Sequence, residues 1–247
     1  MNMIKQRLER FVRYTIFRLG IRKSIPAKII NSVPIIESNE TMVNIKNADF
    51  IKLSPDLNER DAVFVRMHVY EMLKKASTMV PVNYCLKIYS AYRSRAEQYE
   101  LWNKKYDEMR AKFPLLSEDE LVAKTKRLCA DPRGGFGGHQ TGGAVDITLC
   151  DKDGNDVDMG GIIKKSGDNN MTDVSHPLWG SGKNSRTKST NISDDARSNR
   201  KMLLNIMTAA GFLNYPNEWW HYCYGDRMWA AYSNSKYAIY GEYIVEK

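Results

Sequence analysis

Residues 137–146 read Gly-Gly-His-Gln-Thr-Gly-Gly-Ala-Val-Asp and place one imidazole seven residues before one carboxylate. From Ala144 to Leu149, apolar and polar side chains alternate, which predicts a strand with Asp146 on the face opposite the apolar row. The glycines before this strand predict a loop that carries His139 and lets the backbone approach a ligand closely. The stretch therefore predicts a sheet strand that presents a carboxylate next to a histidine.

A second group of polar side chains, Glu218-Trp219-Trp220-His221, lies far along the chain in a predicted aromatic strand, Glu218–Tyr224. With His139 and Asp146, the two groups offer two histidines, one aspartate and a spare glutamate. Three N/O ligands with an open position are the composition of a catalytic zinc site, and the spare carboxylate suits a general base. On a regular strand Glu218 and His221 would point to opposite faces, so a bend after Pro216 is expected.

The segment from Tyr84 to Tyr92 alternates like a strand and runs into Arg93. Ser94 and Glu97 form a capping box, which predicts that a helix begins directly after this arginine. The forked and permanently charged guanidinium of Arg93 suits a carboxylate or a developing oxyanion, while a surface salt bridge is the ordinary alternative.

Helical spacing predicts further helices over residues 4–19, 61–75 and 193–210, the last with Ser193 as N-cap and Gly211 at its C-terminal end. Two more helices are expected within 103–128, separated at Pro114. Residues 160–192 predict a long loop, because they are rich in glycine and short polar side chains. The four cysteines form no C-x-x-C pair, which favours unpaired thiols over disulfides.

The net charge of +8 is concentrated in residues 1–30, where eight lysines and arginines face Glu9 alone. The rest of the chain is nearly neutral, so the charge gives no support for a nucleic-acid-binding face on the main domain. The 247 residues suit one domain with an extension. We expect a basic helical arm over residues 1–45 and a main domain over 46–247.

The basic segment, residues 1–23, has two interpretations: a helix docked on the body, which we favour, or a helix lying on a membrane surface or a partner. Charges interrupt its apolar residues, so no signal peptide is predicted. No run of about 18 apolar residues predicts a membrane span. We therefore expect a cytoplasmic protein, with peripheral membrane association as the alternative, and the sequence predicts no oligomeric state.

The paired motifs carry a family resemblance. His139-x-x-Gly142-x-Ala144-x-Asp146 followed by Glu218-Trp219-Trp220-His221 resembles the signature of the D-alanyl-D-alanine dipeptidases and carboxypeptidases, metallopeptidases of the vancomycin-resistance type. Tyr92-Arg93 and Asp158-Met159-Gly160 also resemble that family, the latter its dipeptidase branch. The resemblance covers roughly residues 60–232.

The resemblance implies an α+β fold with a central antiparallel sheet flanked by helices and a small D-amino-acid peptide as substrate. It implies one zinc ion (Zn2+) per chain, held by His139, Asp146 and His221. Glu218 would be the general base that activates the zinc-bound water, and Arg93 would stabilise the transition state. Predicted substrate contacts are Tyr92, Gly137, Asp158 and Asp168.

Two positions depart from the family's pattern: Gly137 stands where a serine is expected, and Lys164 where an aspartate is expected. In the dipeptidases these positions help to hold the substrate's free ammonium, which a lysine would repel. Either Asp168 substitutes or the enzyme prefers a longer or different D-peptide. A D,D-carboxypeptidase that trims peptidoglycan peptides and a non-catalytic zinc-bearing binding module are the alternatives; Glu218 and Arg93 argue against the second.

Overall fold

The computed structural model describes residues 3–21, 24–126, 128–160 and 183–244. The strands in these ranges are β1 (Met42–Asn44), β2 (Lys52–Leu53), β3 (Phe64–Arg66), β4 (Tyr84–Ser90), β5 (Ala144–Asp151), β6 (Leu213–Asn214) and β7 (His221–Cys223). The helices are α1 (Met3–Arg18), α2 (Ala27–Asn31), α3 (Pro55–Asn58), α4 (Met67–Ser77), α5 (Arg95–Lys112), α6 (Glu118–Thr125), α7 (Gly138–Thr141), α8 (Asp194–Ala210) and α9 (Arg227–Tyr232). The fold is therefore of the predicted α+β class.

A five-stranded sheet in the order β2-β4-β5-β7-β6 forms the centre of the molecule, and β1 pairs with β3 beside it. All neighbours in the central sheet are antiparallel except β2 and β4, which are parallel. The sheet is thus mixed, whereas the family resemblance implied an antiparallel one. Because α3, β3 and α4 lie between β2 and β4, a long crossover returns the chain in the same direction.

The core lies between the sheet and the helices α4 and α8. The apolar row of β5 is buried in it as predicted: Val145, Ile147 and Leu149. Side chains of both helices belong to the same cluster: Val69, Leu73, Leu203 and Met207. Helix α8 begins at its Ser193 cap and ends at Gly211, whose φ of 115° places it in the left-handed region. Both signals predicted these ends correctly.

Other local signals have mixed outcomes. The capping box at Ser94 starts α5 as predicted, but α5 continues to Lys112. Only α6, which begins at a capping box on Ser117, therefore forms as a separate helix within 103–128, where two were expected. The helix predicted over 61–75 begins only at Met67, because Phe64–Arg66 pair with β1 as a strand. Val65 is fully buried in that strand, and the burial gained by this pairing outweighs the helical spacing of the apolar residues in 61–75. All four cysteines are free thiols, as the spacing predicted.

Helix α1 matches the helix predicted over 4–19 and lies against α2 and α9. Phe17 packs edge-on against Tyr232 with ring centroids 4.8 Å apart, and Arg10 Nη1 donates to the Ser32 carbonyl at 3.3 Å. These contacts agree with the docked interpretation of the basic segment. Within the described ranges, no helix has the length and apolar composition needed to cross a bilayer.

Candidate metal centre

Three side chains from separate elements converge at one end of the central sheet: His139 from α7, Asp146 from β5 and His221 from β7. One ligand atom of each lies within 4.8 Å of the other two. His139 Nε2 lies 3.3 Å from Asp146 Oδ2, and His221 Nδ1 lies 3.0 Å from Asp146 Oδ1. This is the grouping that the sequence analysis predicted.

Strand pairing brings Asp146 and His221 together. The two residues are direct partners in the antiparallel register of β5 and β7, so their side chains project from the same face of the sheet. His139 reaches them from α7, a single helical turn where a loop was predicted. Gln140 stabilises this turn, because its Oε1 accepts a hydrogen bond from Gly137 N at 2.8 Å. Gly142 then ends the turn with a φ of 72°, a conformation that favours glycine.

Hydrogen bonds to the backbone orient the His139 ring. Its Nδ1 lies 2.9 Å from the Ala91 carbonyl oxygen, which can only accept, so Nδ1 carries the proton. The lone pair of His139 is therefore on Nε2, the atom that faces Asp146. A backbone carbonyl behind a metal-binding histidine is a common arrangement that fixes the tautomer.

His221 faces the cluster through the other ring nitrogen, Nδ1. Its Nε2 is buried and has no hydrogen-bond partner among the described residues. The carboxylate of Asp226, buried at the N-cap of α9, adds negative charge near this ring. An imidazole held in this way can direct an Nδ1 lone pair at a cation while Nε2 keeps the proton.

The protonation states favour cation binding. Burial alone would raise the pKa of Asp146, but His139 and His221 outweigh it and hold this pKa well below its usual range. Burial lowers the pKa of His139 despite the opposing charge of Asp146. Burial also acts to lower the pKa of His221, but the hydrogen bond that its ring donates to the Asp146 carboxylate, together with the negative charge there, outweighs this and raises the pKa to about 9. At neutral pH the Asp146 carboxylate is therefore an anion and the His139 imidazole is neutral, so both can bind a cation. A metal must displace the proton of His221 before this ring can bind it.

Two imidazoles and one carboxylate are a donor set that fits a catalytic zinc ion, and other divalent ions accept the same atoms. A catalytic zinc ion takes three protein ligands and keeps one position for water or substrate, which matches the number of donors here. The buried Nε2 of His221 and the fixed tautomer of His139 are consistent with this use. We therefore regard the three residues as a candidate metal centre.

Glu218 lies beside the cluster without belonging to it. The chain turns before β7, with Glu218 N donating to the Tyr215 carbonyl at 2.9 Å and His221 N to the Glu218 carbonyl at 3.2 Å. The strand predicted from Glu218 therefore begins only at His221, and the expected bend is confirmed. The bend brings Glu218 Oε2 to 4.0 Å from His221 Nδ1.

Desolvation by the surrounding protein raises the pKa of Glu218 to about 7, although the charge of His221 opposes this. The side chain is nevertheless 41% exposed, so its carboxylate also remains open to solvent and to small molecules. A carboxylate with a pKa near neutrality is well suited to accept a proton and later release it.

Arg93 lies at the junction of β4 and α5, as predicted, and its guanidinium donates to two side chains in the described part of the chain. Nη2 donates to Ser90 Oγ at 3.0 Å and Nη1 to Gln98 Oε1 at 2.8 Å. Its backbone N–H donates to the carbonyl oxygen of His139 at 3.2 Å. The positive charge of Arg93 also lowers the pKa of both His139 and Glu218, which places the guanidinium within electrostatic reach of the cluster.

Gln98 and Gln140 form a buried link that the sequence analysis did not identify. Gln98 Oε1 accepts from both Arg93 and Gln140 Nε2, the latter at 3.2 Å. Gln98 Nε2 donates to the Ala130 carbonyl at 2.8 Å. A polar residue one turn after the Ser94 cap, on the buried side of α5, was the available signal. The link couples Arg93 to the turn that carries His139.

The predicted substrate contacts have other partners in the structure. Tyr92 donates its hydroxyl to the Tyr243 carbonyl at 2.9 Å. The carboxylate of Asp158 accepts from Gly160 N at 2.7 Å and from Ser193 Oγ at 3.1 Å, which connects it to the cap of α8. Gly137 offers no side chain. Two further residues named from the sequence lie outside the described residues: Lys164 and Asp168.

An α+β domain with a His/Asp/His cluster, a carboxylate and an arginine beside it has the layout of a metallopeptidase. A model of the family described as D-ala-D-ala dipeptidase matches residues 47–240. The chain therefore belongs to the D-Ala-D-Ala dipeptidase family, a family of metallopeptidases, and is an enzyme.

Two relatives support this assignment. The chain is similar to a D-alanyl-D-alanine dipeptidase of Synechocystis sp., with 26% identity over 233 residues, 86% of this chain and 93% of that protein. It is also similar to a D-alanyl-D-alanine dipeptidase of Escherichia coli K12, with 31% identity over 137 residues, 56% of this chain and 53% of that protein. The resemblance drawn from the paired motifs is thus confirmed.

Proposed function

We propose that this chain is a zinc dipeptidase that hydrolyses D-Ala-D-Ala-type dipeptides. The position of Glu218 carries the proposal, because its carboxylate lies 4.0 Å from a candidate ligand atom yet is not one of the three clustered donors. His139, Asp146 and His221 would hold the metal. Zinc would supply Lewis-acid polarisation of the peptide carbonyl and of the attacking water.

The chain's own residues account for the proton transfers. Glu218 takes a proton as the water oxygen bonds to the carbonyl carbon, and it gives that proton to the amine nitrogen as the peptide bond breaks. One water is consumed and two amino acids are released. The raised pKa of Glu218, about 7, lets the same carboxylate act first as base and then as acid near neutral pH.

Arg93 would stabilise the charge that develops on the carbonyl oxygen. Its guanidinium is oriented by Ser90 and Gln98 before substrate arrives, so little reorganisation is needed in the transition state. These two hydrogen bonds fix the orientation of a cation whose charge acts on both His139 and Glu218. This preorganisation supports a role in hydrolysis over a simple surface salt bridge.

The decisive assay loads the protein with zinc and offers alanine dipeptides of the four chiral combinations, scored by release of free amine. We expect turnover of the D,D dipeptide and little of the L,L dipeptide. Glu218→Gln, which is nearly isosteric, should lower kcat by about 10²–10⁴-fold and leave zinc content unchanged. Glu71→Gln, at an exposed glutamate on α4, is the matched control and should keep full activity. Undiminished hydrolysis by zinc-loaded Glu218→Gln would refute the mechanism.

The D,D-carboxypeptidase alternative retains support from Gly137, which has no hydroxyl to offer the substrate's ammonium, and from the cationic Lys164 in the sequence. Comparing D-Ala-D-Ala with its N-acetylated form separates the two activities. A dipeptidase requires the free amine, whereas comparable turnover of both peptides would identify an enzyme that accepts longer peptides. A binding module would retain zinc and hydrolyse neither peptide.

A further inference from the structure

Helix α1 is docked on the body by the side opposite to its apolar row. At about 100° per residue, Leu8, Phe11, Val12 and Leu19 fall on one arc. These side chains are 61%, 53%, 44% and 69% exposed, respectively. The contacts with the body are made instead by Phe17 and Arg10, from the other side of the helix. An ordinary surface helix buries its apolar row against its own domain, and this one does the reverse.

Cations border the exposed row on both sides. Arg7 and Arg18 lie along one edge and Lys5 along the other, and all three are exposed. They belong to the segment 1–30, which holds seven of the chain's eight net positive charges. An exposed apolar row between cationic edges is the pattern of helices that lie in the interface of an anionic bilayer.

We propose that the α1 face, defined by Leu8, Phe11 and Val12 together with Leu19 directly after the helix, binds an anionic lipid surface. Charge complementarity selects this occupant, because the apolar row enters the headgroup boundary while the flanking cations contact lipid phosphates. A second copy of the chain would bring two strongly cationic helices together and repel.

The docking geometry is compatible with this surface. Because Phe17 and Arg10 hold the opposite side of α1, the helix can rest on lipid without leaving α2 and α9. The folded domain would then remain on the aqueous side of the helix. This mode of binding does not require a segment that crosses the bilayer, and none of the described helices is long and apolar enough to do so.

The test is sedimentation of the full chain with vesicles of phosphatidylcholine alone, and with vesicles that contain an equal amount of phosphatidylglycerol. We expect binding to the anionic vesicles that weakens as salt is added, and little binding to the neutral ones. The variant Leu8→Glu/Phe11→Glu should lower the partition coefficient by more than about 100-fold, because it removes two apolar contacts and adds two repelled charges.

The matched control is Val82→Glu/Leu115→Glu, which makes the same change in charge at two exposed apolar residues on the body. It should bind anionic vesicles nearly as the unchanged protein does. Dipeptide hydrolysis and the far-ultraviolet circular dichroism of both variants check folding independently of lipid. The proposal is overturned by equal binding of both double variants, or by binding that is insensitive to salt and to phosphatidylglycerol. It is equally overturned by a solution dimer that the helix variant dissociates, since that result would assign the face to a second copy.

Discussion

Replacing Gln98 by leucine tests whether the buried glutamine link positions Arg93 for catalysis. The Gln98 side chain accepts hydrogen bonds from Arg93 and Gln140 and donates one to Ala130, at 2.8, 3.2 and 2.8 Å. Leucine has a similar volume and leaves all three partners without this contact. The variant therefore removes the polar link with little change in packing.

The expected loss of stability follows from the burial of these partners. A buried group that loses its hydrogen-bond partner costs about 1–3 kcal/mol, and Gln140 is 3% exposed, so its amide bears such a cost in full. Arg93 and Ala130 are more accessible and can regain water. We expect the free energy of unfolding to fall by about 2–3 kcal/mol, measured by urea denaturation.

The effect on catalysis should exceed what stability explains. With Gln98 replaced, Ser90 is the remaining hydrogen-bond partner of the Arg93 guanidinium among the described residues, and the guanidinium can then rotate away from the developing oxyanion. Removing an oxyanion donor outright costs about 10²–10³ in kcat, so a misplaced one should cost about 10–10² with KM little changed.

A double-mutant cycle with Arg93→Ala isolates the coupling, because Gln98→Leu should add almost nothing once the arginine is gone. A normal kcat in the destabilised variant, or an equal loss in the Arg93→Ala background, would show that the glutamine is merely structural.

Two further predictions concern the turn before β5 and the metal. Gly138→Ala should lower the free energy of unfolding by about 1–3 kcal/mol in urea denaturation, because a Cβ there would overlap the carboxylate of Asp226. Gly134→Ala, where a Cβ meets nothing within 4 Å, is the control and should be neutral. Zinc affinity, measured by competition with a chromophoric chelator, should fall about tenfold per pH unit below about 9, since Asp146 keeps His221 protonated until the metal displaces that proton. An affinity independent of pH across the neutral range would contradict this protonation state.

Local chemistry determined much of the fold before any tertiary contact was considered. The capping box at Ser94 and the signals at Ser193 and Gly211 correctly predicted where helices begin or end, because a cap satisfies the helix's own backbone groups. The alternation in β5 likewise placed Asp146 opposite the buried row. The two polar motifs also contain the three residues that converge in the structure.

Tertiary structure decided what depends on distant partners. The start of α4 at Met67 follows from the pairing of β3 with β1, and the parallel edge of the sheet follows from a crossover; neither leaves a local pattern. The link between Gln98 and Gln140 joins residues 42 positions apart. A helix's periodicity identifies its apolar row but not the side on which it docks, so only the structure reveals that α1 turns this row outward.

The centre itself combines both kinds of information. The sequence alone supplied the donor types of His139, Asp146 and His221, because imidazole and carboxylate chemistry is carried by the residue. Their separation of a few ångströms comes from the register of β5 with β7, across 75 positions of chain. The orientation of the His139 ring also depends on tertiary structure, because its Nδ1 bonds to the Ala91 carbonyl 48 positions away and Nε2 therefore faces the site.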